Sequence, residues 1–118
     1  MNLKLERHGE VYDIILKKST YVDGKSLAIA MEYYDEEYKA YMPFAILTTN
    51  IWKKPESNCA FVDTNNLGEE IIDWIVKNGL GKPTGRTAPS GYCEYPEVRF
   101  DLDKIENLTR INEEGGDK

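Results

Sequence analysis

Between residues 81 and 96 the chain brings Arg86, Tyr92 and Cys93 close in sequence, among two threonines and a serine. A guanidinium can clamp a carboxylate or phosphate with two parallel hydrogen bonds. A thiol becomes a nucleophile when a neighbouring base or cation favours its thiolate. The same segment holds three of the five prolines and three of the nine glycines, and shows neither a helical nor a strand period. It therefore reads as a long irregular loop, and ordered loops of that length often carry function. Asp63, Thr64 and Asn65 lie ahead of the helix that precedes this loop. If the loop folds back over the helix, Arg86 meets that acidic and hydroxyl-bearing segment. The loop-site candidates are thus Asp63, Thr64, Asn65, Arg86, Tyr92 and Cys93, with Arg86 expected to pair with an acid such as Asp63.

The inventory argues against most catalytic sets. The single histidine, His8, sits in the N-terminal arm and reads as a solvated or strand-start residue. One histidine and two cysteines are too few for the usual zinc sites or for histidine-based triads. Cys93 is the better nucleophile candidate, because Cys59 opens an apolar run and reads as inert core. The stretch Thr84-Gly-Arg-Thr-Ala-Pro-Ser-Gly91 follows a helix instead of opening one, and no Lys-Ser/Thr pair closes it, so it is no phosphate-binding loop. No catalytic residue, metal or cofactor is expected, and an enzyme is the less favoured reading. Cys59 and Cys93, 34 positions apart, are expected as reduced thiols.

A second constellation is acidic and aromatic. Glu32, Asp35, Glu36 and Glu37 cluster with Tyr33, Tyr34 and Tyr38 around a turn. Carboxylates at a turn are solvated, and acid–base chemistry needs burial to shift them. The simplest account is a soluble hairpin tip. The functional account is a docking surface for a basic protein, with tyrosines as anchors and charge as the steering field. Its candidates are Glu32, Tyr34, Asp35, Glu36, Glu37 and Tyr38. The formal net charge of −6 fits that account and disfavours direct binding to nucleic acid or to an anionic membrane.

These residues need elements to hold them. Residues 10–18 alternate with period two, Tyr12, Ile14 and Leu16 sharing one face. Asp23-Gly24 signals a turn. Residues 27–34 and 38–47 form the clearest hairpin, with Leu27, Ile29, Met31 and Tyr33 on one face of the first strand. Tyr38, Ala40, Met42, Phe44 and Ile46 share a face of the second, and Pro43 marks an edge or a bulge. Residues 59–62 read as a brief strand. Residues 63–66 are helix-capping types, and Leu67, Ile71, Trp74 and Ile75 recur at helical spacing, with Ile72 and Val76 widening the stripe. Asn78-Gly79 ends that helix. Residues 97–102 read as a last strand, and 103–112 as a short helix or an extended segment. The expected class is α+β: an antiparallel, hairpin-rich sheet of four or five strands with one main helix, about 66–78, packed on one face. Residues 1–112 are expected to be a single domain and 113–118 a flexible polar tail. With no apolar leader and no run of membrane-spanning length, the expected location is the cytoplasm.

Two motifs, Cys59-Ala-Phe-Val-Asp-Thr-Asn-Asn66 before the helix and Thr84-Gly-Arg-Thr-Ala-Pro-Ser-Gly-Tyr-Cys-Glu-Tyr-Pro-Glu-Val-Arg-Phe100 after it, resemble those of a family of small proteins built on a domain of unknown function. That family is carried by Gram-positive bacteria and their plasmids, conjugative elements and phages. The resemblance spans roughly residues 10–102. It implies an accessory cytoplasmic protein of mobile-element origin, and no established activity or catalytic residue. Small acidic proteins in such settings can antagonise host nucleic-acid-binding defences. The expected function is therefore a non-catalytic protein-binding accessory factor, with a small ligand-binding domain or enzyme built on the 81–96 loop as the alternative.

Overall fold

The structure is a computed structural model that describes residues 3–21, 26–51 and 53–107. The Asp23-Gly24 turn and the stretch from 108 to the end of the chain, including the expected tail, lie outside the described residues.

The fold is mostly antiparallel sheet. The first sheet is built from β1 (Leu3–Arg7), β2 (Glu10–Thr20), β3 (Leu27–Asp35) and β4 (Ala40–Ile46), side by side in that order. The second contains β5 (Thr48–Thr49), β6 (Cys59–Val62), β7 (Gly81–Ser90) and β8 (Cys93–Phe100), in the order β5-β6-β8-β7. A final short strand, β9 (Glu106–Asn107), returns to the first sheet and pairs parallel with Lys17 and Lys18 of β2. Two sheets thus replace the single sheet expected. The N-terminal arm is itself a strand, joined to β2 by a tight turn in which His8 and Gly9 both adopt positive φ.

The period-two patterns explain the first sheet. Leu3, Leu5, Ile14, Leu16, Ile29 and Met31 all enter the core. The expected face of β4 is interrupted. Met31 lies opposite Ala45 and Glu32 opposite Pro43, so Phe44 is an extra residue in the ladder. A bulge of this kind shifts the alternation by one. Phe44 still packs on Tyr12 and Tyr33, with ring centroids 5.1 and 6.2 Å apart, while Ile46 turns outward opposite Ala30. Pro43 sits at this bulge on an edge strand, where its missing N–H costs no ladder bond.

The chain changes sheets at Leu47 and Thr48. Thr48 Oγ1 accepts the Ile29 amide at 3.1 Å and shares a 2.9 Å hydrogen bond with the Tyr21 hydroxyl. Leu47, fully buried, donates its N–H to Ile29 and accepts from Asp63. The two sheets therefore share one core.

The helical segment is split in two: α1 (Thr64–Leu67) and α2 (Glu70–Lys77). Asp63 caps α1, its carboxylate accepting from the amide and the side chain of Asn66. Gly68, at φ 86° and ψ 157°, breaks the helix, a conformation almost reserved for glycine. One continuous helix over 66–78 is therefore not what forms. Leu67, Ile71, Trp74 and Ile75 are buried as expected, Val76 is half exposed, and Gly79 ends α2 with φ 69°. Trp74 Nε1 donates to the Lys4 carbonyl at 2.7 Å, and Arg7 Nη1 to the Leu67 carbonyl at 2.8 Å. These two bonds tie the helices to β1.

Candidate functional site

The segment expected to be an irregular loop is a hairpin. Residues 81–90 and 93–100 pair as β7 and β8, turning at Gly91 and Tyr92. Its irregular sequence has a specific cause. Pro83 pairs with Val98 and Thr87 with Pro96, so Thr84, Gly85 and Arg86 bulge out of the ladder opposite Glu97. Gly85 supplies the left-handed backbone there, at φ 89°.

The bulge brings Arg86 onto Glu97, whose side chain is fully buried. Nε donates to Oε1 and Nη2 to Oε2, each at 2.8 Å. Thr84 Oγ1 donates to Oε1 at 2.6 Å, and the Glu56 amide donates to Oε2 at 3.0 Å. Each carboxylate oxygen thus accepts two hydrogen bonds. A turn over residues 56–59, closed by the Cys59 amide on the Glu56 carbonyl, delivers that last donor. The Arg86 hydrogen bonds, aided by Thr84 and the Glu56 amide, outweigh burial and hold the Glu97 carboxyl down at about 2. The same pairing raises Arg86 above its ordinary value. The Glu56 carboxylate adds a longer contact to Arg86, at 3.5 Å.

The expected pairing of Arg86 with Asp63 is therefore corrected. Asp63 is occupied at the head of α1, and Glu97 takes the guanidinium. The sequence reading missed Glu97, although Val98 and Phe100 on one face already put Glu97 on the other. A glutamate on the second face of a central strand is a signal for a buried partner.

The other loop candidates separate. Tyr92 stands at the hairpin tip, fully exposed. Cys93 is half-buried and Cys59 buried, and neither is in a disulfide. Burial first, then the Cys93 thiol and the charge of Asp63, push the Tyr95 phenol above its ordinary value. Thr64 lines a cleft of about 500 Å³ with Glu69, Ile72, Thr87, Glu94 and Pro96. Arg86, Tyr92 and Cys93 do not line it. Among the described residues, no group of three or more histidine, cysteine or acidic side chains could hold a metal ion.

The acidic and aromatic candidates lie on the β3–β4 hairpin. Asp35 Oδ1 accepts the amides of Glu37 and Tyr38, closing the turn, and Lys39 adopts φ 52°. Glu36, Glu37 and Tyr38 are exposed at this tip. Glu32 and Tyr34 point to the face of the first sheet opposite Ile29, Met31 and Tyr33. Tyr34 pairs directly with Tyr41, their rings edge to face with centroids 5.2 Å apart. Tyr41, a residue not among the candidates, is half exposed, as is Ile46. Ile15 faces Glu32 from β2. This face is thus more apolar than the hairpin tip alone suggested.

No described helix is long and apolar enough to cross a membrane. One family model, Domain of unknown function (DUF4313), matches residues 15–116. No curated protein and no solved structure matches the chain.

Proposed function

Because the chain belongs to the DUF4313 family, a domain of unknown function, its role has to be read from its own surfaces, and we propose that it is a non-catalytic protein-binding accessory factor. The observation that carries this reading is the Tyr34–Tyr41 pair, held on an outward sheet face beside the acidic tip of Glu36 and Glu37. Exposed tyrosines offer large, stiff contact area at low entropic cost, and surrounding charge steers a partner of opposite sign. With a net charge of −6, the partner is a basic protein. Nucleic-acid-binding proteins, whose grooves gather lysine and arginine for phosphate, are the class that fits. Antagonism of such a host defence protein, from a gene carried on a mobile element, is the biological role this reading proposes.

Affinity capture from a host lysate at low and high salt tests it, with Tyr34→Ala/Tyr41→Ala as the control. The expected result is a basic protein retained by the parent chain at low salt, and lost both at high salt and with the double variant. Retention by the double variant, or no captured protein at low salt, overturns it.

A further inference from the structure

We infer that Glu32 is the seat for a single arginine side chain of the partner, a refinement that rests on the protein-binding reading above. The register of the first sheet sets Glu32 at the middle of a grid. Ile15 of β2 stands opposite it on one side and Pro43 of β4 on the other. Two residues along β3 in one direction is Tyr34, paired with Tyr41. Two residues in the other is Ala30, paired with Ile46. On the face turned away from the core the carboxylate therefore stands among two tyrosines, isoleucine side chains, a proline and an alanine, with Lys17, opposite Ala30, at a corner of the grid. Among the described residues, none forms an ion pair or hydrogen bond with the Glu32 carboxylate; unlike the carboxylates of Glu36 and Glu37, which share that lack at the exposed tip, it is partly buried. A partner covering this patch would therefore strip water from the Glu32 carboxylate. That is costly unless a cation meets it; Lys17 at the corner of the grid already has contacts of its own, which leaves the place to a cation from the partner.

The surroundings select the cation. An ammonium is a compact, strongly hydrated point charge. A guanidinium is planar, weakly hydrated, able to bond a carboxylate bidentately, and able to lie on an aromatic face. A carboxylate beside an edge-to-face tyrosine pair supplies both of the contacts that a guanidinium uses and an ammonium uses less well. The aliphatic stem of the arginine then lies along Ile15 and Pro43. The tip carboxylates act differently: they are solvated and attract arginine and lysine alike.

Hexa-arginine and hexa-lysine peptides, matched in charge, test this on the full chain by fluorescence anisotropy at low salt. Hexa-arginine is expected to bind at least about fivefold tighter than hexa-lysine, with Glu32→Gln removing that difference. The tip variant Asp35→Asn/Glu36→Gln/Glu37→Gln is expected to weaken both peptides equally and leave their ratio unchanged. Amide shifts on adding hexa-arginine to the unsubstituted chain are expected to centre on residues 15, 32, 34 and 41. Equal affinity for the two peptides, or a ratio that survives Glu32→Gln, overturns the seat. In that case a salt-sensitive basic protein captured through Tyr34 and Tyr41 still leaves the protein-binding reading standing. An arginine preference centred on Glu32, with no basic protein captured, supports the seat and removes the proposed partner class.

Discussion

Arg86 and Glu97 close a two-bond fork across the β7–β8 hairpin, Nε to Oε1 and Nη2 to Oε2, both at 2.8 Å. Three of the four hydrogen bonds on that carboxylate come from the bulge, two from Arg86 and one from Thr84, and the fourth comes from the turn at Glu56. The fork therefore staples the hairpin to the turn that precedes β6. Removing one member leaves buried polar groups without partners. Glu97→Gln is expected to cost about 1–3 kcal/mol of stability, and Arg86→Ala is expected to lower the melting temperature as well. Capture of the proposed basic partner at a temperature where both variants are folded should be unchanged. Unaltered melting with lost capture would make the fork a binding site.

The pH dependence of stability follows from the same carboxyl. Its folded value, about 2, lies below the ordinary glutamate value of 4.5. A group depressed on folding contributes its full stability above its unfolded value and loses it as pH falls toward its folded value. Stability from Glu97 is thus expected to be intact at neutral pH and to fade between about pH 5 and pH 2. Denaturant melts across that range, with Glu97→Gln alongside, check this. The variant should show a shallower acid slope, and parallel curves would contradict the assignment.

The two thiols should differ in reactivity. Cys59 is 2% exposed and pairs with Arg99 across β6 and β8, whereas Cys93 is half-buried at the hairpin end. Access controls thiol modification as much as thiolate fraction does. A thiol reagent is expected to label one cysteine per native chain quickly, at Cys93, and the second only on unfolding. Two fast equivalents on the native chain would be inconsistent with this packing.

Gly68 separates α1 from α2 at a φ and ψ that L-residues rarely adopt, and a Cβ there would meet Glu70 Oε1 at 2.5 Å. Gly68→Ala is expected to lose about 1–3 kcal/mol. The double variant Gly68→Ala/Glu70→Ala, which clears the side chain but keeps the backbone demand, should recover little of it. Full recovery would mean that crowding, and not backbone conformation, sets the cost.

What the residues disclosed depended on whether local pattern carried the information. The alternation of Tyr12, Ile14 and Leu16, and of Ile29 and Met31, survives intact because one face of a strand is buried and the other is not. Asp63 as a cap and Gly79 as a stop are local chemistry and form as read. The β7 strand was hidden because Pro83, Gly85 and Pro89 imitate a loop. They are tolerated because β7 is an edge strand with a bulge in it. The Arg86–Glu97 fork was invisible because it depends on the register of that hairpin. The break at Gly68 was overlooked because the apolar stripe runs through it. On the outward face, Glu32 and Tyr34 were legible from charge and aromaticity. The parts of Tyr41, Pro43 and Ile46 became visible only once the Phe44 bulge had set which way each points.

The prolines on two of the edge strands, Pro43 on β4 and Pro83 and Pro89 on β7, also bear on how this protein behaves in a crowd of its own copies. An unpaired strand edge is a template for stacking into ribbons, and proline removes the donors such stacking needs. The two bulges bend the same edges away from flatness. The protein can therefore expose an apolar sheet face while two of its sheet edges are closed to fibre growth.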